Sequence, residues 1–90
     1  MNSKTHDQET IDRAKKTVEN YLNNNYQNIT SIKIKDVYQN TMGELTVDGT
    51  VNDSSKFNIG LEEDFTVGSI GRGDGFPKKK DECKDIDCSY

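Results

Sequence analysis

Two cysteines near the C-terminal end of the chain are the residues with the clearest covalent chemistry. Cys83 and Cys88 stand in the segment DECKDIDCSY. A pair at this spacing can close a small disulfide loop in an oxidising compartment, or it can remain as two free thiols. Two thiolates do not complete the tetrahedral ligand set of zinc, and the one histidine, His6, lies at the opposite end of the chain. The pair therefore predicts a structural disulfide or two idle thiols, and it favours an extracytoplasmic location.

The acidic residues could support general acid–base chemistry or calcium binding, and the sequence favours neither. Glu62, Glu63 and Asp64 are consecutive, which is typical of a solvated turn rather than of a cleft that shifts carboxyl pKa values. A calcium loop needs alternating oxygen ligands, a glycine and a final glutamate, an order that NDSSKF and DECKDID both lack. A serine or cysteine nucleophile needs a positioned base, and His6 precedes the first predicted element. The sequence predicts no catalytic residue, no metal site and no cofactor.

The glycine-rich stretch GRGDGFP, residues 71–77, has two functional interpretations and one structural interpretation. It contains Arg72-Gly73-Asp74, a tripeptide that integrins recognise when a constrained loop displays it. A phosphate-binding glycine loop is followed by a helix, and FPKKKDECKD lacks the apolar stripe of a helix. Nothing else in the chain indicates an adhesion protein. We interpret the stretch as the boundary of the folded domain, with the domain ending near Ile70.

Composition limits the class of protein. The chain has 90 residues and a formal net charge of −4, which argues against a nucleic-acid partner because such binders have a basic face. The one basic run, Lys78-Lys79-Lys80, is short and is followed directly by acidic residues. No apolar run approaches the roughly 20 residues that cross a bilayer, and the polar start MNSKTHDQET is unlike a signal peptide. We expect either a cytosolic protein or one whose targeting segment has been removed.

Hydrophobic periodicity predicts one helix at the start of the chain. Residues 7–25 place apolar side chains at three- and four-residue spacing, as an amphipathic helix does. Thr5 or Asp7 is the expected N-terminal cap, and the three asparagines that end at Asn25 are the expected stop. Residues 1–6 are predicted to be a disordered segment.

The pattern changes to a period of two over residues 29–67. Runs such as SIKIKDVY and ELTVDGTV alternate apolar and polar side chains, and NTMG and NDSS are turn signals between them. The alternation slips near Asp36, which predicts a β-bulge. We predict a three- to four-stranded antiparallel meander with the helix packed on its apolar face. This is an α+β two-layer sandwich, cystatin-like in outline, over residues 7–70.

Residues 71–90 are predicted to be a flexible tail, because they are rich in glycine and charge and poor in apolar residues. A bond between Cys83 and Cys88 is the one feature that could hold this tail in place. The aromatic residues of the domain are expected to complete its small core, with an exposed recognition surface as the alternative. These residues are Tyr21, Tyr26, Tyr38, Phe57 and Phe65.

Three local patterns within residues 18–70 carry a resemblance. They are Tyr21-Leu22 with Tyr26 at the helix end, the Met42-Gly43 turn, and Gly49 with Asn52 at the end of the next strand. In these patterns the chain resembles an uncharacterised family of small Gram-positive lipoproteins and membrane-anchored proteins. The resemblance implies a cell-envelope location, with a lipidated or transmembrane N-terminus removed from this chain. It implies no catalytic residue.

Without a catalytic constellation, we predict a non-enzymatic, monomeric binding module outside the cytoplasm, with an unknown protein or envelope component as partner. Membrane contact is expected only through the removed anchor. The predicted interaction surface is an exposed strand edge or the polar face of the sheet, which carries Glu44, Thr46, Asp48 and Thr50. An alternative is a small acidic inhibitor or immunity-type protein, since acidity suits a basic toxin or enzyme as target. A third hypothesis is an enzyme that uses the acidic triplet or the cysteines.

Overall fold

The computed structural model describes residues 8–90 and contains one helix packed on one antiparallel sheet. The elements are α1 Gln8–Asn25, β1 Ile32–Gln39, β2 Leu45–Val51, β3 Ser55–Leu61 and β4 Val67–Arg72, followed by a short 3-10 turn Asp81–Cys83. The strands pair in the order β1-β2-β3-β4. The predicted helix-first α+β fold is confirmed, and the residues after Glu63 form a separate fourth strand.

The helix packs on the sheet because its apolar residues share one side. That side carries Ala14, Val18, Tyr21 and Leu22, all of them buried. The helix ends at Asn25, as the asparagine run predicted. The expected caps Thr5 and Asp7, and the segment 1–6, lie outside the described residues.

β1 carries the irregularity that the sequence predicted near Asp36. Ile34 pairs with Gly49 of β2, and Asp36 pairs with the next residue of β2, so Lys35 is an extra residue in the ladder. The extra residue brings Val37 onto the same face as Ile34, and both contact the core. The bulge thus keeps the aliphatic residues of β1, namely Ile32, Ile34 and Val37, on the helix side of the sheet.

The core lies between α1 and the two central strands. The buried apolar residues of the sheet are Val47, Val51, Phe57, Ile59 and Leu61. Complete burial of one such side chain stabilises the fold by about 1.5–3 kcal/mol relative to exposure. Because the apolar side chains of β2 and β3 all point toward α1, the opposite face of the sheet is left to polar groups.

The folded domain extends beyond residue 70, where the sequence predicted that it ends and a flexible tail begins. β4 runs to Arg72, and the Gly73 N–H still donates to the Lys56 carbonyl at 2.8 Å. The ring of Phe76 then packs edge-on against Tyr26, with 5.2 Å between the ring centroids. The sequence placed the boundary too early because the glycines of this stretch hide its strand pairing.

Residues 78–90 pack along the end of α1, where the sequence predicted a flexible tail. The Gln27 N–H donates to the Lys78 carbonyl and the Lys80 N–H donates to the Asn25 carbonyl, each at 2.8 Å. Farther along, the Tyr90 ring packs edge-on against Tyr21 at 5.0 Å. Backbone hydrogen bonds and one terminal aromatic ring hold a segment whose composition alone offers little apolar surface.

A disulfide joins Cys83 and Cys88, which is one of the two states that the sequence left open. Cys83 is fully buried. Asn25 contacts the other end of the loop twice: its Oδ1 accepts from the Cys88 N–H at 2.7 Å, and its Nδ2 donates to the Cys88 carbonyl at 3.2 Å. The crosslink and these hydrogen bonds offset the conformational entropy that the segment loses when it becomes ordered. The segment is therefore held, although its composition predicted a flexible tail.

Removing the disulfide with the double substitution Cys83→Ala and Cys88→Ala is expected to lower the free energy of unfolding by about 2 kcal/mol. A disulfide stabilises a protein mainly by restricting the unfolded chain, and the size of this effect depends on the length of the loop that it closes. Here the two cysteines are separated by 5 positions. Urea denaturation measures the change. The reduced wild-type protein is the matched control and should lose a similar amount, whereas an unchanged midpoint for both would contradict the prediction.

Candidate functional site: the open face of the sheet

The face of the sheet opposite α1, here called the open face, collects polar side chains from three strands. Among residues 8–90, no helix or strand covers it. Its side chains come from β1, from β2 with the residue before it, and from β3: Lys33, Asp36, Tyr38, Glu44, Thr46, Asp48, Thr50, Lys56 and Asn58. The open face exists because, within residues 8–90, α1 is the one α-helix available to cover a sheet with two sides.

The four residues predicted as an interaction surface lie together along the middle of this face. Glu44, Asp48 and Thr50 are half-buried, and Thr46 is only 6% exposed. The Thr46 hydroxyl donates to the Glu44 carbonyl at 3.2 Å, so it is engaged within the chain. β2 is a central strand, and its neighbours shield it. The accessible groups of the face therefore come mostly from β1 and β3.

A groove of about 520 Å³ crosses the open face from β2 to β4. The register places Asp48 beside Asn58, and Asn58 beside Gly71, in one row across three strands. Thr50 and Lys56 form the next row. The groove thus presents a carboxylate, an amide and a hydroxyl, together with the cations Lys35, Lys56 and Arg72, and these groups can hydrogen-bond a polar partner.

Gly71 keeps the β4 side of this groove open. A Cβ at this position would lie 2.6 Å from the Asn58 Oδ1, so a side chain there would displace the amide. The sequence identified Gly71 as the start of a tail and missed this role. The register between β3 and β4 is needed to see this role, because a glycine has no side chain that could indicate which face of the sheet it lies on.

Tyr38 stands at the β1 side of the open face. Its hydroxyl donates to the Asp48 Oδ1 at 3.5 Å, and the pKa of Tyr38 is raised, first by loss of solvent and then by the Asp48 carboxylate. The phenol is therefore a neutral hydrogen-bond donor at ordinary pH. Of the five predicted core aromatics, this is the one whose ring lies on the polar side of the sheet.

The other aromatic residues have the predicted role in the core or at its border. Tyr21, Tyr26 and Phe57 are buried. Phe65 is half-buried in the hairpin before β4, and the Arg13 guanidinium lies 4.3 Å from the centre of its ring. This cation–π contact ties the hairpin to the helix.

The acidic triplet forms the exposed turn that the sequence predicted. Glu62, Glu63 and Asp64 connect β3 to β4 and are all exposed. The Asp64 Oδ1 accepts from the Thr66 hydroxyl at 2.6 Å and from the Thr66 N–H at 3.1 Å, and these bonds lower the pKa of Asp64. The carboxylate is used to close a turn, and it lies away from the groove residues.

The tripeptide Arg72-Gly73-Asp74 spans the end of β4 and the turn after it. Arg72 and Asp74 are exposed. The turn is anchored on both sides, because the Ser55 hydroxyl donates to the Asp74 carbonyl at 3.1 Å and the Phe76 N–H donates to the Gly73 carbonyl at 3.3 Å. The sequence analysis interpreted this stretch as the end of the domain, whereas these hydrogen bonds hold it against the fold.

Within residues 8–90 no helix is both long and apolar enough to span a membrane. Over the same residues, no group of three or more histidine, cysteine, aspartate or glutamate side chains could hold a metal ion. Comparison of the chain with protein-family models, with curated proteins and with solved structures finds no match. The resemblance to small Gram-positive lipoproteins stays a prediction.

Proposed function

We propose that this chain is a non-enzymatic binding module that works outside the cytoplasm and uses the open face of its sheet. The observation that carries the proposal is the groove across β2, β3 and β4. Its floor is rigid strand, and Asp48, Lys56 and Asn58 bring acceptor and donor groups to one place. Rigid strands with adaptable polar side chains suit the recognition of a polar surface on a protein or an envelope component.

The disulfide supports the extracytoplasmic part of the proposal. Bonds such as Cys83–Cys88 persist in oxidising compartments and are rare in the cytosol, where thiols are kept reduced. The resemblance to small Gram-positive lipoproteins points to the same side of a cell membrane. The proposed location is the outer face of that membrane, with an N-terminal anchor in the full-length protein.

Retention of envelope components on the immobilised domain tests this proposal. We expect wild type to retain a component from a detergent extract of Gram-positive envelope, and Lys56→Glu to retain at least about tenfold less, since a mismatched charge opposes association. Lys16→Glu is the matched control, because Lys16 is exposed on α1 and the charge change is identical. If all three retain the same components equally, the open face is not the binding surface. If wild type retains nothing above a blank support, the binding-module proposal fails.

A second candidate function, inhibition of a basic toxin or enzyme, is favoured by the tip of the disulfide loop. Ile86 is 79% exposed and lies between Asp85 and Asp87, in the loop that the Cys83–Cys88 disulfide closes. A large apolar side chain on a constrained acidic loop suits an apolar pocket with a basic rim. In the same retention assay, loss of binding in Ile86→Ser but not in Met42→Ser, which changes another exposed apolar residue, would favour this function over the first.

A further inference from the structure

A second groove lies on the helix side of the sheet, between β4 and the C-terminal segment. It has a volume of about 500 Å³ and is here called the basic groove. Tyr21, Tyr26 and Ile70 form its apolar part. Its cations are Arg72, Lys78, Lys79 and Lys84. The groove exists only because residues 78–90 pack against α1.

The charge of the basic groove is opposite to that of the whole chain. Lys79 pairs with Asp87, and Lys84 pairs with Asp81 at 3.3 Å. Arg72 and the remaining lysine of the groove have no ion pair among residues 8–90. Among the described residues, two of the four cations that line the groove thus have no ion pair, in a chain whose formal net charge is −4. The groove therefore attracts anionic groups although the chain as a whole is acidic.

The edge of β4 that borders this groove has free backbone groups. The Gly73 N–H donates to β3, so residues that alternate with Gly73, namely Gly71 and Ser69, also bond to β3. The residues between them, Ile70 and Arg72, then direct their N–H and C=O groups away from β3. Within residues 8–90, no other strand pairs with this edge.

The C-terminal residue closes one end of the same edge and leaves the other end open. The Val67 N–H donates to the Tyr90 hydroxyl at 2.8 Å. That contact lies at the start of β4, whereas Ile70 and Arg72 lie toward its end. An extended segment can therefore reach the edge beside Arg72 without displacing the Tyr90 contact.

We propose that the basic groove binds an extended acidic peptide, which adds as a strand to the free edge of β4. Backbone bonds to Ile70 and Arg72 fix the peptide, as in other cases of strand addition. Every second side chain of such a strand points to the helix side, where carboxylates meet Arg72 and Lys78. A single anion could use the cations but not the strand edge, so the two features together indicate a peptide. Arg72 also borders the groove on the open face, whereas Ile70 and Lys78 line the basic groove alone. Hydrogen exchange at the free edge of β4 therefore tests this site independently of the open face.

Titration of the uniformly ¹⁵N-labelled full chain with the capped peptide Ac-EVEVEV-NH2 tests the proposal. We expect the largest amide shifts at Ile70 and Arg72, and hydrogen exchange at these two amides slowed by about tenfold or more at saturation. The double variant Arg72→Glu/Lys78→Glu should bind about tenfold more weakly, since each exposed charge pair contributes up to about 1 kcal/mol. Lys15→Glu/Lys16→Glu makes the same charge change on α1, outside both grooves, and should bind as wild type does.

Three results would overturn the proposal. The first is equal binding of Ac-KVKVKV-NH2, which would remove the role of charge. The second is inorganic phosphate at the same ionic strength producing the same shifts and blocking the peptide, which would make the groove a small-anion site. The third is unchanged hydrogen exchange at Ile70 and Arg72 when the peptide is bound, which would exclude strand addition. Well-dispersed spectra of both double variants keep a loss of binding distinct from a loss of folding.

Discussion

Gly49→Ala is expected to lower the free energy of unfolding by about 3 kcal/mol, at the upper end of the range for overpacked cores. Gly49 lies on β2 opposite the bulge of β1. A Cβ there would lie far inside contact distance of the Lys33 carbonyl oxygen and 2.9 Å from the Phe57 ring. The Lys33 oxygen belongs to the backbone, so it cannot rotate away as a side chain could. The whole of β1 would have to separate from β2.

Gly68→Ala is the matched control for this substitution. A Cβ at Gly68 also meets a neighbour, but that neighbour is the end of the exposed Glu62 side chain, which can rotate into solvent. We expect Gly68→Ala to change the free energy of unfolding by no more than about 0.5 kcal/mol. Urea denaturation of the two variants measures both values. Equal stability of the two would mean that β1 and β2 are not as close as described.

Asn25→Ala is expected to lower the free energy of unfolding by about 2–3 kcal/mol. Asn25 is fully buried, and its side chain bonds to the Cys88 N–H, the Cys88 carbonyl and the Tyr21 carbonyl. Alanine would leave both backbone groups of Cys88 without their partner, at about 1–3 kcal/mol for each buried group that water does not reach. The substitution therefore weakens the attachment of the disulfide loop as well as the fold.

Asn24→Ala separates this effect from a general effect of the asparagine run. Asn24 is exposed, and its side chain donates one bond, to the Ser89 carbonyl at 2.8 Å. Its replacement should lower the free energy of unfolding by about 1 kcal/mol or less. Hydrogen exchange at the Cys88 amide should accelerate strongly in Asn25→Ala and only slightly in Asn24→Ala. The same acceleration in both variants would contradict the assigned role of Asn25.

The sequence was sufficient to predict the helix and the strands, because their apolar side chains recur at a regular spacing. The apolar stripe of α1 and the alternation of the strands each reflect one buried side, so pattern and fold agree. The bulge near Asp36 could be predicted because it interrupts that alternation. The docking of the C-terminal segment could not, because it depends on one buried amide, Asn25, and on backbone bonds such as Gln27 to Lys78. Contacts of this kind do not recur at a regular spacing along the sequence, so no sequence pattern predicts them.

The candidate sites were predictable to a smaller extent. Alternation placed Thr46 and Asp48 on the polar face correctly, but it could not show that neighbouring strands bury Thr46 to 6% exposure. The cross-strand partners in the groove, Asn58 and Gly71, follow from register, which turns and bulges determine. The basic groove combines a helix, a strand and a terminal segment that are far apart in the chain. Lys78 and Lys79 therefore appeared to be an ordinary solvated run.

The meander has a consequence for the order in which the chain assembles. Each strand pairs with the next one along the chain, so the sheet can grow through short hairpins. The bond between Asn25 and Cys88 instead joins residues 63 positions apart. Closing so long a loop is slower than closing a hairpin, so we expect the C-terminal segment to dock last. The two cysteines would then remain open to thiol exchange until the rest of the protein has folded.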